Sequence, residues 1–98
     1  MVHLDSKLTR SIQLIGIEHA IKKIVLFGSR ARGDNKPKSD IDIAVYSSTS
    51  INNEGIIVSD FEDLDTLLKI DIIFVNNNID KQLIENINKE GVILYEWL

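Results

Sequence analysis

Two strand-like segments with different side chains, joined by a short polar stretch, constrain the fold of this chain more than any other feature. The first is the apolar run Ile24–Phe27, which ends at Gly28-Ser29. The second begins twelve positions after Gly28, where Asp40 and Asp42 alternate with isoleucines. Because strand side chains alternate between faces, the two acids share one face, about 7 Å apart at their bases, while the isoleucines point into a core. The pattern predicts a sheet with a polar site at its strand ends.

A third strand-like segment carries a single acid in an apolar setting. It runs from Ile70 to Val75, and Asp71 is its charged residue. Burying a lone carboxylate is costly unless it is paired or coordinates a metal, and three clustered carboxylates would repel one another. A divalent cation would remove both penalties. A salt bridge from Asp71 to Lys69 or Arg32 is the structural alternative.

The ligand types and the Gly-Ser turn together indicate a site for metal and phosphate. Carboxylate oxygens, without cysteine or a paired-histidine motif, suit Mg²⁺ or Mn²⁺ better than Zn²⁺. Two such ions about 3.5 to 4 Å apart are typical of metal-assisted phosphoryl chemistry. Gly28 can take backbone angles closed to other residues, and Ser29 offers a hydroxyl and an N–H to phosphate. The neighbouring cations, which could meet a triphosphate or form a solvated loop, are Arg30, Arg32, Lys36 and Lys38.

These residues resemble the pattern of a known family, the minimal nucleotidyltransferases (MNT) of the DNA polymerase beta superfamily. That pattern is Gly-Ser, a short spacer, Asp-x-Asp and a third acid on a later strand, and it occurs here as Gly28-Ser29, Asp40-x-Asp42 and Asp71. The closing segment 90–95 is similar to the end of such small proteins. The resemblance covers nearly the whole chain and implies the polymerase beta-like nucleotidyltransferase fold.

The resemblance also implies a reaction and roles for individual residues. The reaction would be transfer of AMP from ATP to an acceptor hydroxyl, with two Mg²⁺ ions, or Mn²⁺, as cofactors. Asp40 and Asp42 would hold the metal ions, and the Gly-Ser pair would bind the nucleotide phosphates. Asp71 would be a third metal ligand and the base toward the acceptor. Arg32 and Ser39 match positions that contact phosphate in some members.

The acceptor is implied only at the level of the family. Minimal members often pair with a small helical HEPN-type protein as the antitoxin of a toxin–antitoxin system, and some adenylylate a tyrosine of that toxin. The alternatives are a binding module that masks its partner without catalysis, and transfer to a small molecule such as an aminoglycoside. The chain has no room for an added helical domain, so a partner or a second copy is expected to complete the pocket. Candidate contacts for that partner are Tyr95, Trp97 and Leu98.

Composition bounds the remaining possibilities. With 98 residues, of which 44% are apolar and 27% charged, one globular domain over 1–98 is expected. The absence of cysteine agrees with a reducing compartment, and neither a signal peptide nor an apolar run of the roughly 18 residues that span a membrane is visible. A cytoplasmic protein is therefore expected. The aromatic residues form no stacking array, so nucleic acid is not an expected partner. His3 and His19 are expected at the surface.

Apolar periodicity predicts the order helix, strand, short helix, strand, helix, strand, helix, strand. This order gives an α/β (α+β) domain, a small mixed β-sheet with helices packed on it. Ser6 is predicted to cap the first helix, a further helix is predicted over 57–68, and Asp80 and Gly91 are predicted to begin and end the last one. Polar segments predict loops at 47–53 and 76–78.

Overall fold

Helices and strands alternate along the chain in the predicted order. The computed structural model describes residues 4–47, 53–75 and 79–97. The helices in these ranges are α1 (Ser6–Glu18), α2 (Ser29–Arg32), α3 (Glu54–Glu62) and α4 (Lys81–Glu90). The strands are β1 (Lys23–Phe27), β2 (Ile41–Tyr46), β3 (Ile70–Phe74) and β4 (Val92–Glu96). Most of the predicted loop at 47–53, the loop at 76–78, His3 and Leu98 lie outside the described residues.

The four strands form one mixed sheet in the order β3-β2-β1-β4. β1 pairs antiparallel with both β2 and β4, whereas β2 pairs parallel with β3. The predicted small mixed sheet is confirmed. β1 and β2 are central, so the strand that carries Asp42 has a hydrogen-bonded neighbour on each side.

Two apolar layers cover the two faces of the sheet. The larger layer places α1 and α3 against Ile41, Ile43 and Val45, each with no exposed surface. The smaller layer joins Ala44 of β2 to Ile87 of α4. By strand alternation Asp42 lies on the same face as Ala44, the face that α4 partly covers.

Helix α1 begins one residue earlier than the sequence suggests. The prediction that Ser6 is the cap is wrong, because the Asp5 carboxylate accepts the hydrogen bond from Lys7 N at 3.1 Å and Ser6 is the first helical residue. At the other end Ala20 takes a left-handed conformation (φ 52°), and Ile21 N donates to Gly16 O at 2.9 Å. This hydrogen-bonded C-terminal turn fixes His19 at the end of α1.

Helix α3 is shorter than the apolar pattern over 57–68 predicts. It spans Glu54–Glu62, and Asp63 N closes it by donating to Ser59 O at 3.1 Å. The later leucines lie in a turn instead, where Leu64 and Leu68 pack on the core and Leu67 is exposed. A tight turn can present side chains at helical spacing, so periodicity alone overestimates the helix.

The start and end of helix α4 agree with the prediction. The Asp80 carboxylate accepts from Gln82 N at 3.3 Å at the N-terminus, and Gly91 N donates to Ile87 O at 2.8 Å at the C-terminus. A Cβ at Gly91 would overlap that carbonyl oxygen, which is why the residue there has no side chain. In the ranges that the structure describes, no helix combines the length and apolar character needed to cross a membrane.

Candidate active site

Two of the predicted acids lie side by side on neighbouring strands. Asp42 of β2 and Asp71 of β3 are direct partners in the parallel register. Neighbouring strands are about 4.8 Å apart, and paired residues point to the same face, so the two carboxylates share one surface. Asp40 immediately precedes β2 and is exposed. The sheet therefore gathers all three acids near the same strand ends.

The exposure of Asp71 differs from the sequence-based expectation. The acid was expected to be buried among isoleucines, but β3 is an edge strand and the Asp71 side chain is 43% exposed. Its Oδ1 lies 3.5 Å from Lys69 Nζ, on a lysine that is itself well exposed. An ion pair this open to water contributes little to stability. Stability therefore does not account for an acid at this position.

Gly28 connects the strand β1 to the acids. Phe27 pairs with Asp42 across β1 and β2, and Gly28 follows with φ 77° and ψ −156°, a region that glycine alone occupies easily. A Cβ at Gly28 would overlap Asp42 Oδ2. The turn thus brings its backbone directly against the Asp42 carboxylate, which requires a glycine at this position.

Ser29 begins the single helical turn α2, whose backbone is fixed by hydrogen bonds to the carbonyl oxygens of Gly28 and Ser29. Ala31 N and Arg32 N both donate to Gly28 O at 3.1 Å, and Gly33 N donates to Ser29 O at 2.9 Å. The first N–H groups of a helical turn have no partner within the turn. The Ser29 hydroxyl and the first N–H groups of α2, those that precede Ala31 N, are suitable donors for a phosphate oxygen.

Arg30 has a structural role that the sequence did not reveal. It was expected to face a triphosphate or lie in a solvated loop, but it is only 7% exposed. Its Nε donates to Ser39 O at 3.1 Å, and its Nη2 donates to Ser39 O at 3.0 Å and to Pro37 O at 3.1 Å. Arg30 therefore ties the α2 turn to the loop that ends at Asp40. Lys36 and Lys38 of that loop are exposed.

The two weaker candidates, Arg32 and Ser39, already have partners within the protein. Arg32 donates to Asp34 Oδ2 at 3.1 Å and to Glu90 Oε2 at 3.0 Å. The hydrogen bond to Asp34 raises the pKa of Arg32 most, and the one to Glu90 raises it further. The Ser39 hydroxyl accepts from Lys36 N at 2.8 Å and keeps its own proton free to donate. Glu90 had not been assigned any contact with the site.

Burial, and then repulsion between acids, act on the central carboxylate of the site. Burial raises the pKa of Asp42, and the charges of Asp71 and then Asp40 raise it further, while Arg32 lowers it. The side-chain oxygens of Asp40, Asp42 and Asp71 do not all come within 4.8 Å of one another. A hard divalent cation fits this donor set, because it would supply the missing positive charge and bind carboxylate oxygens.

Comparison with known proteins identifies the family. A family model described as "Polymerase beta, Nucleotidyltransferase" matches residues 10–97, which include every candidate site residue. The chain belongs to this family and is a nucleotidyltransferase.

Individual relatives agree in sequence or in fold. A Methanocaldococcus jannaschii protein named "Putative protein adenylyltransferase MJ0604" is 30% identical over 86 residues. The match covers 76% of this chain and 79% of that protein. A chain of a toxin–antitoxin complex with AMP-PNP is 22% identical with a TM-score of 0.71, covering 91% of this chain and 73% of that one. A chain from the Shewanella oneidensis complex of a tri-AMPylated HEPN toxin with its MNT antitoxin is 18% identical, with a TM-score of 0.64 and coverage of 96% and 74%. These structural matches establish the fold.

Proposed function

We propose that the chain transfers AMP from ATP to the hydroxyl of an acceptor in a reaction that depends on divalent metal ions. The observation that carries the proposal is the paired register of Asp42 and Asp71 beside the Gly28 backbone. A turn with phosphate donors that lies against Asp42, with the Asp71 carboxylate adjacent on the next strand, is an arrangement suited to phosphoryl transfer, which needs chiefly positioning and charge neutralisation.

The residue roles in this proposal are those that the family resemblance implies, and the position of the turn beside the strands supports them. Asp40 and Asp42, with Asp71, would hold Mg²⁺, for which Mn²⁺ can substitute. The bound metal would neutralise phosphate charge and lower the pKa of the acceptor hydroxyl. Ser29 donates to the nucleotide phosphates from the turn that Gly28 begins. Arg32 and Ser39 add cationic and hydroxyl donors at the rim of the site.

The reaction balances as a substitution at the α-phosphorus of ATP. The acceptor oxygen forms a bond to that phosphorus while the bond to the leaving pyrophosphate oxygen breaks. The proton of the acceptor hydroxyl passes to Asp71, whose side chain is 43% exposed on the edge strand β3. The products are an AMP ester and pyrophosphate.

The acceptor we propose is a tyrosine of a helical HEPN-type partner, with the chain acting as the antitoxin. Two similarities support this: the relative named as a protein adenylyltransferase, and the structural neighbour from a complex with a tri-AMPylated HEPN toxin. Large apolar side chains that would suit a protein contact are also exposed; they include Leu14, Ile17, Ile93 and Trp97.

The same exposed side chains favour a second candidate function, in which the chain neutralises its partner by covering it without catalysis. The test is to incubate the chain with Mg-ATP and any helical protein that co-purifies with it, and to measure the mass of each by intact-mass spectrometry. An AMP adduct on the partner supports transfer, whereas a stable complex without an adduct supports masking.

A variant pair makes this test specific to the proposed site. Asp42→Asn removes one charge from the paired acids, and Asp65→Asn removes one from an exposed turn. We expect Asp42→Asn to abolish the adduct with the fold intact by circular dichroism, and Asp65→Asn to behave as the parent chain. Full transfer by the Asp42→Asn variant would refute the mechanism.

A further inference from the structure

A second cluster of metal-ligating side chains lies where the ends of α1 and α3 meet. It consists of Glu18, His19 and Asp60, whose ligand atoms all lie within 4.8 Å of one another. It is the one group of three or more such side chains that meets this distance within the described ranges. We propose that this cluster is a binding site for a transition-metal dication of the Zn²⁺ class. The proposal is independent of the proposed enzymatic function.

The cluster is separate from the candidate active site. α1 and α3 cover the face of the sheet that holds Ile43, whereas Asp42 is on the opposite face by strand alternation. His19 also lies just before the start of β1, while Gly28 lies just after its end. The two sites are therefore on different faces and at different ends of the central strands.

Two of the three ligands are already positioned toward each other. His19 Nε2 lies 2.6 Å from Asp60 Oδ2, and the two side chains are 12% and 33% exposed. These residues come from different helices, 41 positions apart in sequence, so the contact is set by tertiary packing. The C-terminal turn of α1 holds the His19 backbone, because Ile21 N donates to Gly16 O. Little conformational freedom of the imidazole remains to be lost on binding.

The donor set selects the class of metal. One imidazole nitrogen with two carboxylate oxygens suits Zn²⁺ and its neighbours, whereas Mg²⁺ prefers oxygen ligands alone. In a tetrahedral Zn²⁺ site with bonds of about 2.0 to 2.1 Å, ligand atoms lie about 3.3 Å apart. His19 and Asp60 would separate by a fraction of an ångström, and the exposed Glu18 would supply the third ligand. Water would complete the coordination.

Binding at this position would link α1 to α3 and so stabilise the native fold. An ion that binds the folded chain and not the unfolded one raises the unfolding temperature in proportion to the logarithm of its concentration.

The experiment is titration of the chelator-treated chain with Zn²⁺ at neutral pH, followed by calorimetry and by thermal unfolding. We expect one equivalent to bind and the unfolding temperature to rise. His19→Asn should weaken this binding by more than about tenfold, since even outer-sphere changes at metal sites cost that much. His3→Asn is the matched control, because the chain has two histidines.

Two further measurements make the outcome decisive. The titration is repeated on Asp42→Asn, because the carboxylates of the candidate active site could also bind Zn²⁺. Binding lost in Asp42→Asn but retained in His19→Asn would overturn the proposal, as would absence of binding. In case His19→Asn does not fold, the imidazole proton resonances of His19 are followed in the unmodified chain. Resonances that do not respond to one equivalent of Zn²⁺ would also overturn it.

Discussion

Replacement of Arg30 tests whether the candidate site depends on a buried guanidinium that contacts no substrate. Arg30 makes three hydrogen bonds to two carbonyl oxygens, those of Pro37 and Ser39. Arg30→Met removes all three and leaves both acceptors without this donor. Arg30→Lys keeps the charge but cannot reproduce the forked geometry of the guanidinium.

The magnitude follows from the number and exposure of the orphaned acceptors. A buried polar group without a partner costs about 1 to 3 kcal/mol, so two carbonyls give an upper range of about 2 to 6 kcal/mol. Pro37 is exposed and Ser39 half-buried, so water can replace part of the lost contact. We expect Arg30→Met to lower the free energy of unfolding by about 2 to 3 kcal/mol and Arg30→Lys by about half as much. A domain of ordinary stability would remain folded.

Activity should fall more steeply than stability, because the tied loop ends at Asp40. A displacement of about 1 Å at a reacting group can cost about a hundredfold in rate. The assay measures AMP transfer and urea unfolding for both variants, with Lys38→Met as the control for loss of an exposed cation in the same loop. A parent-like unfolding free energy with a strongly raised KM for Mg-ATP would mean that Arg30 binds nucleotide, and would refute the structural role. Parent-like behaviour in every measurement would refute both the structural role of Arg30 and a role in nucleotide binding.

Three smaller changes probe other parts of the molecule. Gly28→Ala should lower the free energy of unfolding by about 1 to 3 kcal/mol, because alanine is strained at these backbone angles. It should also abolish transfer, because the added Cβ overlaps the Asp42 carboxylate. Parent-like results in urea unfolding and in the transfer assay would contradict both expectations. Asp42→Asn should stabilise the metal-free chain at neutral pH, because the raised pKa of Asp42 makes its ionisation unfavourable to folding. That stabilisation should disappear as the pH falls toward 3.8, the ordinary pKa of the carboxyl in the unfolded chain. Melting curves measured in chelator across this pH range test the expectation, and equal unfolding temperatures of the two chains at pH 7 would contradict it. Asp5→Ala should cost about 1 kcal/mol by loss of the α1 cap while Ser6→Ala costs less, and equal losses in urea titrations would count against Asp5 as the cap.

The order of elements could be predicted from the sequence because it depends on local periodicity. The alternation around Asp42 correctly predicted that Ile41, Ile43 and Val45 are buried, since a strand has only two faces, but not that Ala44 on the Asp42 face is buried as well. The end of α3 could not be predicted in the same way. Leu64 and Leu68 satisfy helical spacing, yet they reach the core from a turn closed by the hydrogen bond from Leu68 N to Thr66 Oγ1.

The missed contacts are all tertiary. Arg30 stands beside other cations in the sequence, and nothing local distinguishes the buried guanidinium from an exposed one such as Arg32. The pairing of His19 with Asp60 joins residues 41 positions apart on two helices. No spacing rule for a metal or an ion pair covers that separation, because the packing of α1 against α3 creates it. Strand periodicity likewise could not indicate that β3 is an edge strand and leaves Asp71 open to solvent.

The different positions of the two paired acids support different roles in the proposed reaction. Asp42 is on a central strand, with a hydrogen-bonded neighbour on each side, and lies against the turn proposed to hold phosphate, a position suited to metal and nucleotide. Asp71 is on the edge strand, where a side chain 43% exposed can be approached by a group from another protein. An acceptor too large to enter a closed pocket needs its base at such an edge. The same sheet position that makes Asp71 unimportant for stability thus makes it the suitable base for a macromolecular hydroxyl.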